Sequence, residues 1–116
     1  MKELKVYVVT ETYDNGWSYE DREYYYDRFL TICGSAKEAR GYIENLVLDL
    51  YYNAIEEAEE EFGDLLNSEA PNRDIFSFDV IEHDFDYMEV QNRRDGGCEY
   101  YTYKILEETI QIPDNV

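Results

Sequence analysis

Positive charge is what this chain has least of. Lysine and arginine together number 10 against 28 aspartates and glutamates, for a formal net charge of −18. Soluble small domains usually sit at a magnitude of about 2–8. A field of this sign repels nucleic acid and anionic membrane and attracts basic surfaces. Arg93 and Arg94 form the only adjacent basic pair, and they fall at a predicted hairpin tip. Direct binding to a phosphate backbone is therefore not expected. Cysteine is scarce too: Cys33 and Cys98 stand alone, with no CxxC partner and no signal-peptide pattern ahead of them. Two reduced thiols in a cytoplasmic protein is the simplest reading, with a disulfide between them as the alternative. No run approaches the roughly 18 apolar residues of a membrane-spanning helix, so no membrane partner is expected.

The motifs of catalysis and cofactor binding are missing as well. There is no G-x-S-x-G, no G-x-G-x-x-G and no Walker A loop. The single histidine, His83, lies between Glu82 and Asp84. His with carboxylates is a known ligand set, but strand alternation sends Glu82 and Asp84 to the face opposite His83. Acidic pairs such as Asp79 with Glu82 and Asp84 with Asp86 lack the glycine and terminal glutamate of a calcium loop. Acid–base work needs a carboxyl in apolar surroundings, and most carboxyls here lie in polar runs. The reading is a non-enzyme with no cofactor and no metal.

What the chain does have is enough apolar residue, 44% of 116, for a single domain spanning residues 1–116. It also has 13 tyrosines, which pack on sheets and anchor interfaces at low cost in rotamer entropy. Its organising stretch is Ser35 to Phe62. Apolar residues recur there at Ala36, Ala39, Ile43, Leu46, Val47, Leu50, Ala54, Ala58 and Phe62, which is one stripe of a 3.6-residue period. Ser35 and Glu38 make a capping box at the start, and Gly63 stands where a left-handed C-terminal cap would sit. The opposite face carries Glu38, Asn45, Asp49, Tyr52, Glu56, Glu59 and Glu60.

Residues 2–13 predict a strand, with Leu4, Val6 and Val8 on one face and Lys5, Tyr7, Val9 and Glu11 on the other. Asp14-Asn15-Gly16 is a turn signal, and Trp17 to Glu23 reads as a loop. Tyr24 to Cys33 predicts a second, antiparallel strand, with Arg28, Leu30 and Ile32 sharing one face. After the helix, Leu65 to Asp74 is a connection containing Pro71 and Asn72. Ile75 to Phe85 is a third strand. Residues 86–94 either continue it through a bulge, the reading slightly favoured for want of Gly or Pro at His83–Asp86, or form a strand of their own. Arg93 to Gly97 is a hairpin turn. Glu99 to Thr109 returns with Tyr101, Tyr103 and Ile105 on one face, and the tail from Ile110 frays. The expected fold is α+β: an antiparallel sheet of four to five strands with one long helix on one face, in the order β-β-α-β-β with room for one more strand.

The segments Lys5-Val6-Tyr7-Val8-Val9-Thr10 and Ser35-Ala36-Lys37-Glu38-Ala39-Arg40-Gly41-Tyr42-Ile43 resemble a small protein family of bacteriophages and prophages. That family pairs a K-V-Y-V-V-T strand with an S-x-K-E-x-A-x-x-Y-I helix start. The resemblance covers about the first 45 residues. It implies a phage setting and an N-terminal ββα unit, and it carries no function with it.

The feature that points to a function is the acidic end of the helix. Glu56, Glu57, Glu59, Glu60 and Glu61 crowd together, Asp64 follows, and no Lys or Arg occurs between Arg40 and Arg73. Glu56 faces Glu60 and Glu57 faces Glu61, each pair costing roughly 0.2–0.5 kcal/mol. Carboxylates near a helix C-terminus also oppose its dipole. Phosphates on one DNA strand advance about 3.4 Å along the axis, and carboxylates three or four apart on a helix advance about 4.5–6 Å. Such a row can enter the groove of a nucleic-acid-binding protein. The candidate contact residues are Asp49, Tyr52, Glu56, Glu57, Glu59, Glu60, Glu61 and Asp64, continued across the sheet by Asp79, Glu82, Asp84, Asp86 and Glu89. Tyr24, Tyr25, Tyr26, Tyr100 and Tyr101 would serve as further anchors. The expected function is an acidic phage inhibitor of a host nucleic-acid-binding defence protein, a CRISPR effector or restriction enzyme. A solvated, solubilising face is the bland alternative. A nucleotide-signal binder using Arg22, Arg28 and Arg40 is a second functional reading, and a homodimer through exposed sheet tyrosines is a third.

Overall fold

The computed structural model describes residues 2–14, 25–66, 76–94 and 97–113, with side chains for all of these but residues 25, 26, 62, 64–66 and 94. The elements run β1 (Lys2–Asp14), β2 (Tyr25–Cys33), α1 (Ala36–Leu66), β3 (Phe76–Asp84), β4 (Tyr87–Arg94) and β5 (Gly97–Ile112). All five strands join one antiparallel sheet in the order β2-β1-β5-β4-β3. The fold is α+β, with one long helix on a five-stranded sheet. Of the expected turn at Asp14–Gly16, Asp14 is the last residue of β1, and Asn15 and Gly16, the loop at Trp17–Glu23 and residues 67–75 with Pro71 lie outside the described residues.

The helix begins where its capping box places it. The Glu38 amide donates to Ser35 Oγ at 3.1 Å, and the Ala39 amide closes the first turn on the Ser35 carbonyl at 3.1 Å. Ser35→Ala is expected to cost about 1 kcal/mol, read as a lower urea midpoint with an unchanged slope. The far end differs from expectation. The helix does not stop at Gly63 but runs through it to Leu66. Gly63 has right-handed backbone there, because the apolar sequence continues past it.

The predicted stripe is the buried one. Ala39, Ile43, Val47, Ala54 and Ala58 are buried, and the first three join Val9, Met88, Val90, Tyr103 and Ile105 in the core. Each fully buried aliphatic here contributes roughly 1.5–3 kcal/mol. Val9 and Ile105 are directly opposite on β1 and β5, so the helix covers the face bearing Val9, Glu11, Tyr103 and Ile105. Leu4, Val6, Val8 and Leu106 fall on the other, open face by alternation; Val6 is nonetheless buried there, while Leu4 and Leu106 are exposed.

Three expectations about the strands are corrected. The chain reverses after Asp84, giving two strands instead of one bent one. No glycine is needed, because Asp84 Oδ1 accepts the Phe85 amide at 2.7 Å and so holds the turn. The bulge is present as well, at His83, where the β3–β4 register shifts. In β2 the strict alternation fails at a bulge: Val9 pairs with Thr31 but Thr10 pairs with Phe29, leaving Leu30 as the extra residue. Leu30 and Cys33 therefore both pack on the core, while Ile32 sits opposite Val8 on the open face. The tail does not fray at Ile110. It stays paired, Leu4 with Ile110 and Lys2 with Ile112.

The last of these leaves an unusual shape. The β1–β2 register starts at Tyr7 and Cys33, and the β4–β5 register ends at Tyr87 and Lys104. Beyond that line residues 2–6 and 108–112 form a two-stranded ribbon. The principal extents are 64 × 33 × 23 Å, and β5 alone spans about 54 Å at 3.4 Å per residue.

Candidate functional site: the acidic face of the helix

The sheet holds the helix by one stripe, so its opposite face points to solvent. Asp49, Tyr52, Glu56, Glu59 and Glu60 are all exposed on it. Glu56, Glu59 and Glu60 have no salt bridge or hydrogen bond among the described residues, and neither has Asp49. Tyr52 is 61% exposed and leans on Tyr51 with ring centroids 5.8 Å apart. From Asp49 to Glu60 the row is about 16 Å long at 1.5 Å per residue.

Glu57 and Glu61 belong elsewhere. At 3.6 residues per turn they fall near the bearing of Ala54, toward the sheet side, and each has an interaction of its own. The extension of α1 to Leu66 moves the glutamates away from the helix end, and no basic residue stands in the last turn. The dipole penalty falls off within that turn, so the strain on Glu56, Glu59 and Glu60 comes from their mutual repulsion. The Asp64 side chain lies outside the described residues.

The sheet acids do not continue the row. Glu82 lies on the helix side of β3, where Arg40 bridges it to Glu44. The Arg40 side chain is only 11% exposed. It also donates to the Phe85 carbonyl at 3.1 Å, so it ties α1 to the β3–β4 turn. Glu89 lies on the open face, 3.1 Å from His83 Nε2, and Asp79 faces Gln91 across the ladder. Asp84 is held in the turn, and Asp86 is exposed there. Period-two alternation has split these acids between two faces and a turn. Among the described residues no three His, Cys, Asp or Glu side chains gather as a metal site.

The tyrosines divide in the same way. Tyr101 donates to Glu99 at 2.9 Å, Tyr13 donates to the same oxygen at 3.2 Å, and their rings meet at 5.0 Å. Tyr100 is on the opposite face of β5. A hydrogen bond with Cys98 is the main reason its phenol is held above the ordinary range. Cys33 and Cys98 are both free thiols. Burial first, and then the Glu38 carboxylate, push the Cys33 thiol up, away from the thiolate that a nucleophile requires. The side chains of Tyr25 and Tyr26, and all of Tyr24, lie outside the described residues.

Two features had no signal in the sequence. Glu11 is 3% exposed. Its carboxylate accepts from Arg28 Nε at 2.8 Å and from the Tyr103 hydroxyl at 2.7 Å. Beside the acidic row, Val47, Leu48, Tyr51, Phe78, Val80 and Met88 line a groove of about 380 Å3 between α1 and the β3–β4 hairpin, with Glu44 and Glu82 completing its lining. Strand pairing brings these residues together from separations that local patterns do not reach. No protein-family model matches the chain, and no curated protein or solved structure matches it.

Proposed function

We propose that this protein is a non-enzymatic inhibitor that sets the outer face of α1 into the cationic groove of a nucleic-acid-binding protein. The observation that carries this reading is the state of Glu56, Glu59 and Glu60. They are exposed side by side on one helix, and no cation among the described residues pairs with them. Ten basic residues were available; Arg28 is paired with Glu11, Arg40 with Glu44 and Glu82, and Lys5 with Glu107. The carboxylates would replace phosphates on the partner's lysines and arginines. Tyr52 and the neighbouring apolar groove would supply the desolvated anchors that protein interfaces concentrate their energy in.

The phage-like opening motifs support a host defence protein as the target, with a CRISPR effector or a restriction enzyme as the class, and the host cytoplasm as the place of action. The nucleotide-signal reading gains nothing from the geometry, because Arg28 and Arg40 are engaged by carboxylates of the chain itself. The test is capture from host lysate on the immobilised protein. Nucleic-acid-binding proteins are expected to be retained at low salt and lost steeply as salt rises. Retention that ignores salt would refute the reading.

A further inference from the structure

The open face of the sheet carries a second surface. Phe29, Ile32, Leu4, Leu106 and Ile110 are between 45% and 59% exposed. They share one face of the sheet. Ile32 and Leu106 flank Val8 in one row across β2, β1 and β5, Leu4 and Ile110 face each other four residues along, beyond the buried Val6 and its partner Glu108, and Phe29 sits opposite Thr10 on the other side. Monomeric proteins rarely leave apolar patches of this kind uncovered. Part of the patch lies on the two-stranded ribbon, and two strands alone are marginal in water without a further layer.

The charges bordering the patch indicate what covers it. On the open side of β5 the residues read Lys104, Leu106, Glu108, one cation and one anion placed symmetrically about an apolar centre. Both charged residues are exposed, and Lys104 Nζ lies over the Tyr87 ring at 5.6 Å. A sequence of that form is complementary to itself when reversed. We infer that two copies of this chain pack open face to open face about a two-fold axis crossing β5 at Leu106. Lys104 of each copy then meets Glu108 of the other, and the apolar rows close between them as in a sheet-on-sheet core. The acidic row of α1 lies on the far side of each sheet, so both rows stay exposed in the dimer. The inference is independent of the function proposed above.

Sedimentation of the full chain across a concentration series tests it. The wild-type chain is expected to be a dimer that tightens as salt rises, because salt screens the repulsion between two bodies of net charge −18. Glu108→Lys is the decisive variant. It makes the chain less negative and should favour association if only net charge matters. On the two-fold geometry it sets like charges together at both ends of the patch and weakens the dimer by about tenfold or more. Lys104→Glu weakens it as well, and the double variant Lys104→Glu/Glu108→Lys restores it at the original net charge. Leu106→Glu, at a position that is 46% exposed, abolishes it, with an unchanged circular dichroism spectrum showing that the fold is kept. A monomer at every concentration overturns the inference. So does a dimer that Leu106→Glu leaves intact, or one that Glu108→Lys strengthens.

Discussion

Reversing Glu56, Glu59 and Glu60 to lysine is expected to weaken capture of a cationic nucleic-acid-binding protein by about 10³-fold at low salt. Close charge pairs across interfaces couple strongly enough for about tenfold per reversal, and the three sites lie within one and a half turns of a single face. Each reversal changes the charge by two, so the formal net moves by six, from −18 to −12. The fold should not suffer. All three side chains are exposed, the Glu56–Glu60 repulsion is exchanged for a lysine–lysine one of similar size, and the smaller net charge lowers the self-repulsion of the folded chain. The variant should therefore melt at or above the wild-type temperature while losing its partner, the signature of a surface kept for binding at a cost to stability. Reversal of Glu3, an exposed acid on the β1–β5 ribbon, is the control, and it should have little effect on capture. Loss of the fold in the triple variant, or equal losses from both positions, would argue for a generic charge effect.

The largest expected effect on stability lies at Tyr103. Its ring is 1% exposed in the centre of the sheet, and its hydroxyl donates to the buried Glu11. Tyr103→Ala should cost about 3–5 kcal/mol through the cavity it leaves, a large part of the roughly 5–15 kcal/mol that holds a domain together. Tyr103→Phe keeps the packing and removes one donor from a buried carboxylate, at about 1–3 kcal/mol. Urea denaturation of the two variants separates the terms. If Tyr103→Phe costs as much as Tyr103→Ala, the hydrogen bond to Glu11 dominates the site; if it costs nothing, that bond is energetically idle.

Local rules were enough for much of the fold. The start of α1 followed from Ser35 and Glu38, its buried stripe from a 3.6-residue period, and the faces of β1 and β5 from alternation. Errors arose where a side chain did the work of a conventional signal. The Phe85–Asp86 turn has no glycine because the Asp84 carboxylate satisfies the backbone. The faces of β2 change at Leu30 because one inserted residue shifts everything beyond it. Gly63 resembled a terminator but the sequence beyond it remained helical. In the candidate site, the exposure of Glu56, Glu59 and Glu60 was legible, since the helix period and the gap in basic residues both lie in the chain itself. The pairing of Glu82 with Arg40, 42 residues away, was not. Nor was the burial of Glu11 against Arg28 and Tyr103. Both depend on strand order, which no local pattern encodes.

The claim that α1 stands in for a nucleic acid is tested most directly by displacement. Host proteins captured on the immobilised wild-type chain at low salt are challenged with short duplex DNA or RNA. The account predicts that nucleic acid releases them and that the Glu56/Glu59/Glu60→Lys variant never held them. Proteins that stay bound in the presence of excess nucleic acid, or that bind the triple variant equally well, would contradict it.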